Sequence, residues 1–125
     1  MQEIYIKKSE VGIKGEKLAC ELIERKGWII LERNWRVGHY EVDIIATEFN
    51  SIHFVEVRTL MYPNLIEPYE TIGFKKQRKL LRAASKYMAI KRESREAIFD
   101  IVSVVFNGDN YKIEFIENAF SPSWK

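Results

Sequence analysis

The chain has 125 residues, 46% of them apolar and 30% charged; this length and composition suit one packed domain over residues 1–125 and exclude a disordered or low-complexity chain. The formal net charge of +2 is too small to point to a partner. Cys20 is the single cysteine, which excludes an internal disulfide and a cysteine-built zinc site. A lone thiol fits a reducing, cytoplasmic setting. Met1 to Ser9 lacks the basic-then-apolar order of a secretory signal, and no run approaches the ~18 consecutive apolar residues of a membrane span.

Residues 11–26 read as a helix, with Ile13, Ala19, Leu22 and Ile23 at helical spacing and Gly27 as the stop. Trp28 to Leu31 is a short apolar run and reads as a strand. Asn34, Arg36 and Gly38, with Trp35 among them, read as a turn-like connection. Glu41–Thr47 and Ser51–Arg58 read as two strands of a hairpin closed by Glu48, Phe49 and Asn50. Pro63, Asn64 and Pro68 mark 59–69 as a loop. Its stretch Leu60–Ile66 is apolar enough to suit a substrate-facing flap or a homodimer contact. Glu70 to Arg92 is helical in pattern, Ile98 to Phe106 is a β-branched strand, Asn107–Asn110 is a turn, and Tyr111–Ile116 is the last strand. The order helix, three strands, helix, two strands gives an α/β fold with a mixed sheet and its helices either on both faces or on one.

Three carboxylates sit badly in this pattern. Glu16 falls three, four and seven residues before Ala19, Cys20 and Ile23, on the apolar side of its helix. It either points towards the sheet, where an unpaired charge costs several kcal/mol, or reaches water near the helix start. Asp43 interrupts Val42–Asp43–Ile44–Ile45, and Glu56 interrupts Phe54–Val55–Glu56–Val57, in strands that disfavour acids. A turn centred between Phe49 and Asn50 puts residues whose numbers sum to 99 opposite one another, so Asp43 faces Glu56. Like charges so opposed repel unless a cation lies between them. Convergent carboxylates with a strand carbonyl make a hard oxygen site suited to Mg²⁺ or Mn²⁺, which is chemistry for phosphodiester hydrolysis. The alternative is strand-end acids paired with Arg36, Arg58 or a lysine.

Gly15–Glu16, Glu41–Val42–Asp43–Ile44–Ile45 and Phe54–Val55–Glu56–Val57–Arg58 resemble the YraN-like family of bacterial endonucleases inferred from sequence, together with Arg33–Asn34–Trp35–Arg36, Phe99–Asp100–Ile101–Val102 and Asn118–Ala119–Phe120. The resemblance runs from about Val11 to Phe120. It implies a restriction-endonuclease-like fold of the PD-(D/E)xK kind, akin to archaeal Holliday-junction resolvases. It further implies that Asp43, Glu56, Glu16 and the Val57 carbonyl hold the metal, and that the substrate is branched or otherwise structured DNA. The chain departs from that pattern at one place: the motif lysine is Arg58. An arginine stays protonated and cannot act as a general base, although it can hold a phosphate by forked hydrogen bonds. Cutting without a base, a lysine from elsewhere, and loss of cutting with binding retained all stay open.

Lys76 is the candidate substitute. It lines up with Leu80, Ala83 and Tyr87 at the border of an apolar stripe formed by Phe74, Leu81, Ala84 and Met88, from which it could snorkel to the site; Gln77, on the stripe itself, is a second candidate. Between Phe74 and Arg92 there are eight basic residues and no acid. Of these, Lys75, Lys79, Arg82 and Lys86 form one line, either a DNA-phosphate-tracking face, joined by Arg36, or a solvated helix face. Trp35, Tyr62 and Tyr69 offer stacking on bases or ordinary packing. His53 falls on the strand face opposite Glu56 and is not expected to be a ligand; His39 either reaches an acidic site from beside Glu41 or is an ordinary loop residue. Asp100, inside an apolar strand, is expected to have a structural role, paired with a helix cation or with Arg36.

Overall fold

The computed structural model describes residues 9–63 and 73–121. Helix α1 spans Glu10–Arg25 and is capped by Ser9, whose hydroxyl accepts from the Gly12 N–H at 3.1 Å. It ends at Gly27, whose φ of 88° lets its N–H turn back to the Glu24 carbonyl at 3.0 Å. Strands β1 (Ile29–Val37), β2 (Tyr40–Glu48) and β3 (Ser51–Met61) follow, then helix α2 (Phe74–Ile90) and strands β4 (Glu96–Asn107) and β5 (Asn110–Phe120). The five strands lie in chain order in one sheet, antiparallel except for β3 and β4, which run parallel on either side of α2 in the chain.

The helices cover opposite faces. Ala19, Cys20 and Ile23 of α1 pack with Trp28, Ile44, Val55 and Val102; Leu80, Leu81, Ala84 and Tyr87 of α2 pack with Ile45, Ile52, Phe54 and Phe99. Residues 42–46 and 52–56 are therefore buried without a break, as strands covered on both sides must be. This α/β arrangement of a mixed five-stranded sheet and two helices is consistent with the restriction-endonuclease-like fold. No helix among the described residues is long and apolar enough to cross a membrane.

Several boundaries differ from the sequence expectation. Asn34, Trp35 and Arg36 are not a connection; they continue β1 along the sheet edge, with Asn34 in the left-handed region at φ 50° and the turn falling at Gly38–His39. The first part of the expected 59–69 loop is strand, because Thr59, Leu60 and Met61 pair with Val104, Val105 and Phe106. The rest of that apolar stretch, from Asn64, and Tyr69 lie outside the described residues. Strand β5 runs on to Phe120 through a register shift. Ile13 and Phe74 are exposed rather than buried, so the buried stripe of α2 is Leu80, Leu81, Ala83, Ala84 and Tyr87. Trp35 packs edge-on against Tyr87 at 5.1 Å, a core contact rather than a base-stacking surface.

Candidate functional site

The hairpin register is the one the turn implies: Glu48 faces Ser51, and the ladder runs to Ile44 opposite Val55, each pair summing to 99. It stops there, one step short of Asp43 and Glu56. At that step the Asp43 carboxylate accepts the Val57 N–H at 2.8 Å, so a side chain takes a donor that a strand would otherwise use. Asp43 and Glu56 are buried at 8% and 7% exposure at the end of the β2–β3 ladder.

Helix α1 reaches this point because of Gly15. A Cβ there would lie 2.1 Å from Thr59 Oγ1, so only glycine lets the helix backbone press this closely on β3. The next residue, half-buried Glu16, then joins Glu41, Asp43, Glu56, Val57, Arg58 and Lys76 in lining one cleft of about 370 Å³. The opposite helix supplies the cation. Lys76 extends the buried Leu80–Ala83–Tyr87 line by one turn, and its Nζ lies 2.7 Å from Glu56 Oε1. The Arg58 guanidinium approaches the same oxygen at 3.9 Å. Gln77 is not among the cleft-lining residues.

The electrostatics are unbalanced. Burial, then the charge of Asp43, push the Glu56 carboxyl up to about 7, although Lys76 and Arg58 pull it down. Burial and the neighbouring Asp43 charge outweigh the two cations at one oxygen, and a divalent cation shared with Asp43 would supply the missing stabilising charge. The donors are hard oxygens, so the residues present fit Mg²⁺ or Mn²⁺. Among the described residues, however, the three-ligand group whose donor atoms all lie within 4.8 Å of one another is Glu48–His53–Glu117, not the cleft acids.

Arg36 pairs with Glu41 at 3.2 Å and not with Asp100, correcting one sequence expectation. Instead Asp100 accepts from His53 Nδ1 at 2.6 Å and from the Asn118 N–H at 2.8 Å. Lys75, Lys79, Arg82 and Lys86 are all exposed along α2. Lys75, Arg78, Lys79 and Arg82 border a groove of about 390 Å³ with Phe74. A smaller hollow of about 160 Å³, lined by His39, Glu41, Glu56, Lys76 and Lys79 among others, joins the basic line to the cleft. His39, a loop residue beside Glu41 in the sequence, lies in the β1–β2 turn and borders this hollow.

The model of the uncharacterised protein family UPF0102 matches residues 15–104. The chain belongs to the UPF0102 family. A UPF0102 protein of Bacteroides thetaiotaomicron is 36% identical over 114 residues, covering 91% of this chain and 94% of the relative. Another from Clostridium botulinum is 39% identical over 115 residues, covering 89% and 94%. The YraN-like resemblance is thus upheld at the level of family. Among solved structures the chain is similar to Pyrococcus furiosus SfsA in complex with Ca²⁺, with a TM-score of 0.40 and 17% identity; the match covers 84% of this chain and spans 63% of the length of that one.

Proposed function

We propose that this UPF0102 protein is a metal-dependent endonuclease acting on DNA, branched or otherwise structured. The observation that carries the reading is the meeting, in one cleft, of Glu16, Asp43 and Glu56 from three separate elements with Lys76 from a fourth. Asp43, Glu56, Glu16 and the Val57 carbonyl are the residues that would hold Mg²⁺ or Mn²⁺, which supplies Lewis acidity towards a phosphodiester when bound. The protein's own groups supply the rest. The Val57 N–H orients Asp43. Lys76, within hydrogen-bond reach of Glu56, takes the place the motif lysine leaves at Arg58, as a group that can exchange a proton. Arg58, with its fixed positive fork, holds a phosphate oxygen at the cleft wall. Lys75, Lys79, Arg82 and Lys86, with Arg36 on the sheet edge, track the DNA backbone towards the cleft.

A second reading keeps the binding and drops the cutting, and Arg58 favours it. Lys76 comes from a helix rather than from the strand of the motif, and 47% of its side chain is exposed. Incubating the protein with branched, nicked and single-stranded DNA in Mg²⁺ or Mn²⁺ separates the two. The nuclease reading expects cleavage that falls by at least about two orders of magnitude in Asp43→Asn and in Lys76→Ala, the scale of losing one positioned electrostatic group. Salt-sensitive binding without cleavage establishes the second reading, and cleavage that survives Asp43→Asn removes the site from the reaction.

A further inference from the structure

The other end of the hairpin carries a second group of ligand side chains, remote from the cleft and independent of the nuclease reading. Glu48 closes β2, His53 lies on β3, and Glu117 lies on β5 next to the register shift. One donor atom from each lies within 4.8 Å of the other two. His53 is wholly buried and stacks on Trp28 with ring centroids 3.9 Å apart. Its two nitrogens are differently placed. Nδ1 meets the fully buried Asp100 carboxylate at 2.6 Å, and Nε2 points at Glu48 Oε2, 3.0 Å away.

In a neutral imidazole, a carboxylate accepting from Nδ1–H selects the tautomer whose Nε2 lone pair faces Glu48, the orientation found behind metal-bound histidines. In that tautomer Nε2 and the Glu48 oxygen are both acceptors, so something positive must lie between them. Asp100 does a second job: its other oxygen accepts the Asn118 N–H at 2.8 Å. One buried acid therefore orients the imidazole and anchors the irregular stretch of β5 that carries Glu117. A tetrahedral ion with bonds of ~2.0–2.1 Å holds neighbouring donors ~3.3 Å apart. The His53–Glu48 pair is close to that span, and Glu117 is an exposed side chain free to swing into it.

We propose that Glu48, His53 and Glu117 form a zinc-class binding site, with Asp100 as the positioning residue behind His53 and a fourth position left for water. One imidazole nitrogen and two carboxylate oxygens suit a borderline divalent ion better than Mg²⁺, which the all-oxygen cleft suits. Such an ion would tie β2, β3 and β5 together across the intervening β4. The competing occupant is a proton. Burial alone lowers the His53 pKa, but the hydrogen bonds and charges of Asp100 and Glu48 raise it.

The test is zinc titration of the full chain against a competing fluorescent chelator, alongside Glu48→Gln, Glu117→Gln and Asp43→Asn, with circular dichroism to verify folding. Glu48 and Glu117 are chosen because neither is buried, so their amides leave the core intact. One zinc per chain is expected, at least tenfold weaker in each glutamine variant and unchanged in Asp43→Asn. Nitrogen-15 NMR should show the His53 Nε2 resonance moving on zinc addition while Nδ1 stays protonated. Four results overturn the site: no saturable zinc, zinc retained by both glutamine variants, zinc lost in Asp43→Asn, or an imidazole that stays doubly protonated at neutral pH with zinc present. Loss of DNA cleavage in Asp43→Asn, measured on the same preparations, belongs to the cleft and leaves this outcome untouched.

Discussion

Two acids are buried in neighbouring strands, Glu56 on β3 and Asp100 on β4, and their surroundings are opposite. Asp100 is wholly buried and is met by a histidine nitrogen and a backbone N–H, one on each oxygen. Glu56 lies at the edge of a cleft, beside a second carboxylate and under cations that crowd one of its two oxygens. A fully satisfied buried acid stabilises a particular arrangement of strands. A partly satisfied one, held next to a like charge, holds back stability and so favours whatever cation relieves it.

Breaking each acid should therefore have opposite effects on the fold. Asp100→Asn weakens the charge-assisted hydrogen bonds that hold His53 and anchor β5, so unfolding stability should fall by about 3 kcal/mol, read from chemical denaturation. Glu56→Gln should leave stability equal or raise it and, on the nuclease reading, abolish cleavage.

The pH dependence sharpens the contrast. The folded Glu56 carboxyl, at about 7, lies above its ordinary value of 4.5, so the folded state prefers the proton. Its contribution is full below the ordinary value and is lost as pH rises through about 7, a difference of about 3 kcal/mol at 1.36 kcal/mol per unit. In the presence of a chelator the melting temperature should decline between pH 4.5 and 7, and Glu56→Gln should flatten that decline. Added Mn²⁺ should raise the melting temperature at pH 8 and not at pH 4.5.

Gly15→Ala tests the approach that brings Glu16 to the cleft. Its new methyl group meets Thr59 Oγ1, so about 1–3 kcal/mol of stability should be lost by overpacking, and adding Thr59→Ala should restore part of it. The smallest effect is expected on the basic line. Lys79→Ala should reduce the slope of log affinity for duplex DNA against log salt by about one, uniformly across sequences.

The hairpin was legible because a tight turn with acids inside apolar runs leaves few registers, and the pairing of Ile44 with Val55 follows from it. The cleft acids were legible for the same reason: an aspartate flanked by Val42, Ile44 and Ile45 has no bland explanation. The edge strand was not. Asn34 and Arg36 are polar and exposed because β1 has a partner on one side only, and Asn34 in a left-handed conformation looks like a turn residue. The His53–Asp100 pair was also hidden. It depends on the parallel register of β3 on β4, where Val55 meets Asp100, and that register is set by α2 and its flanking segments rather than by any local signal. Phe74 misled the reading of α2, since it extends the apolar stripe in sequence and faces solvent in space.

The end of the β2–β3 ladder at Ile44 and Val55 has a mechanical consequence. Beyond that pair β2 remains joined to β1 as far as Tyr40, and β3 remains joined to β4 as far as Met61. The sheet is thus a fork with two stiff prongs, Asp43 on one and Glu56 on the other, braced at the crotch by the Asp43–Val57 hydrogen bond. A change in the splay of the prongs would alter the gap between the two carboxylates, so the aperture of the cleft is tied to the twist of the sheet as well as to the rotamers of the acids.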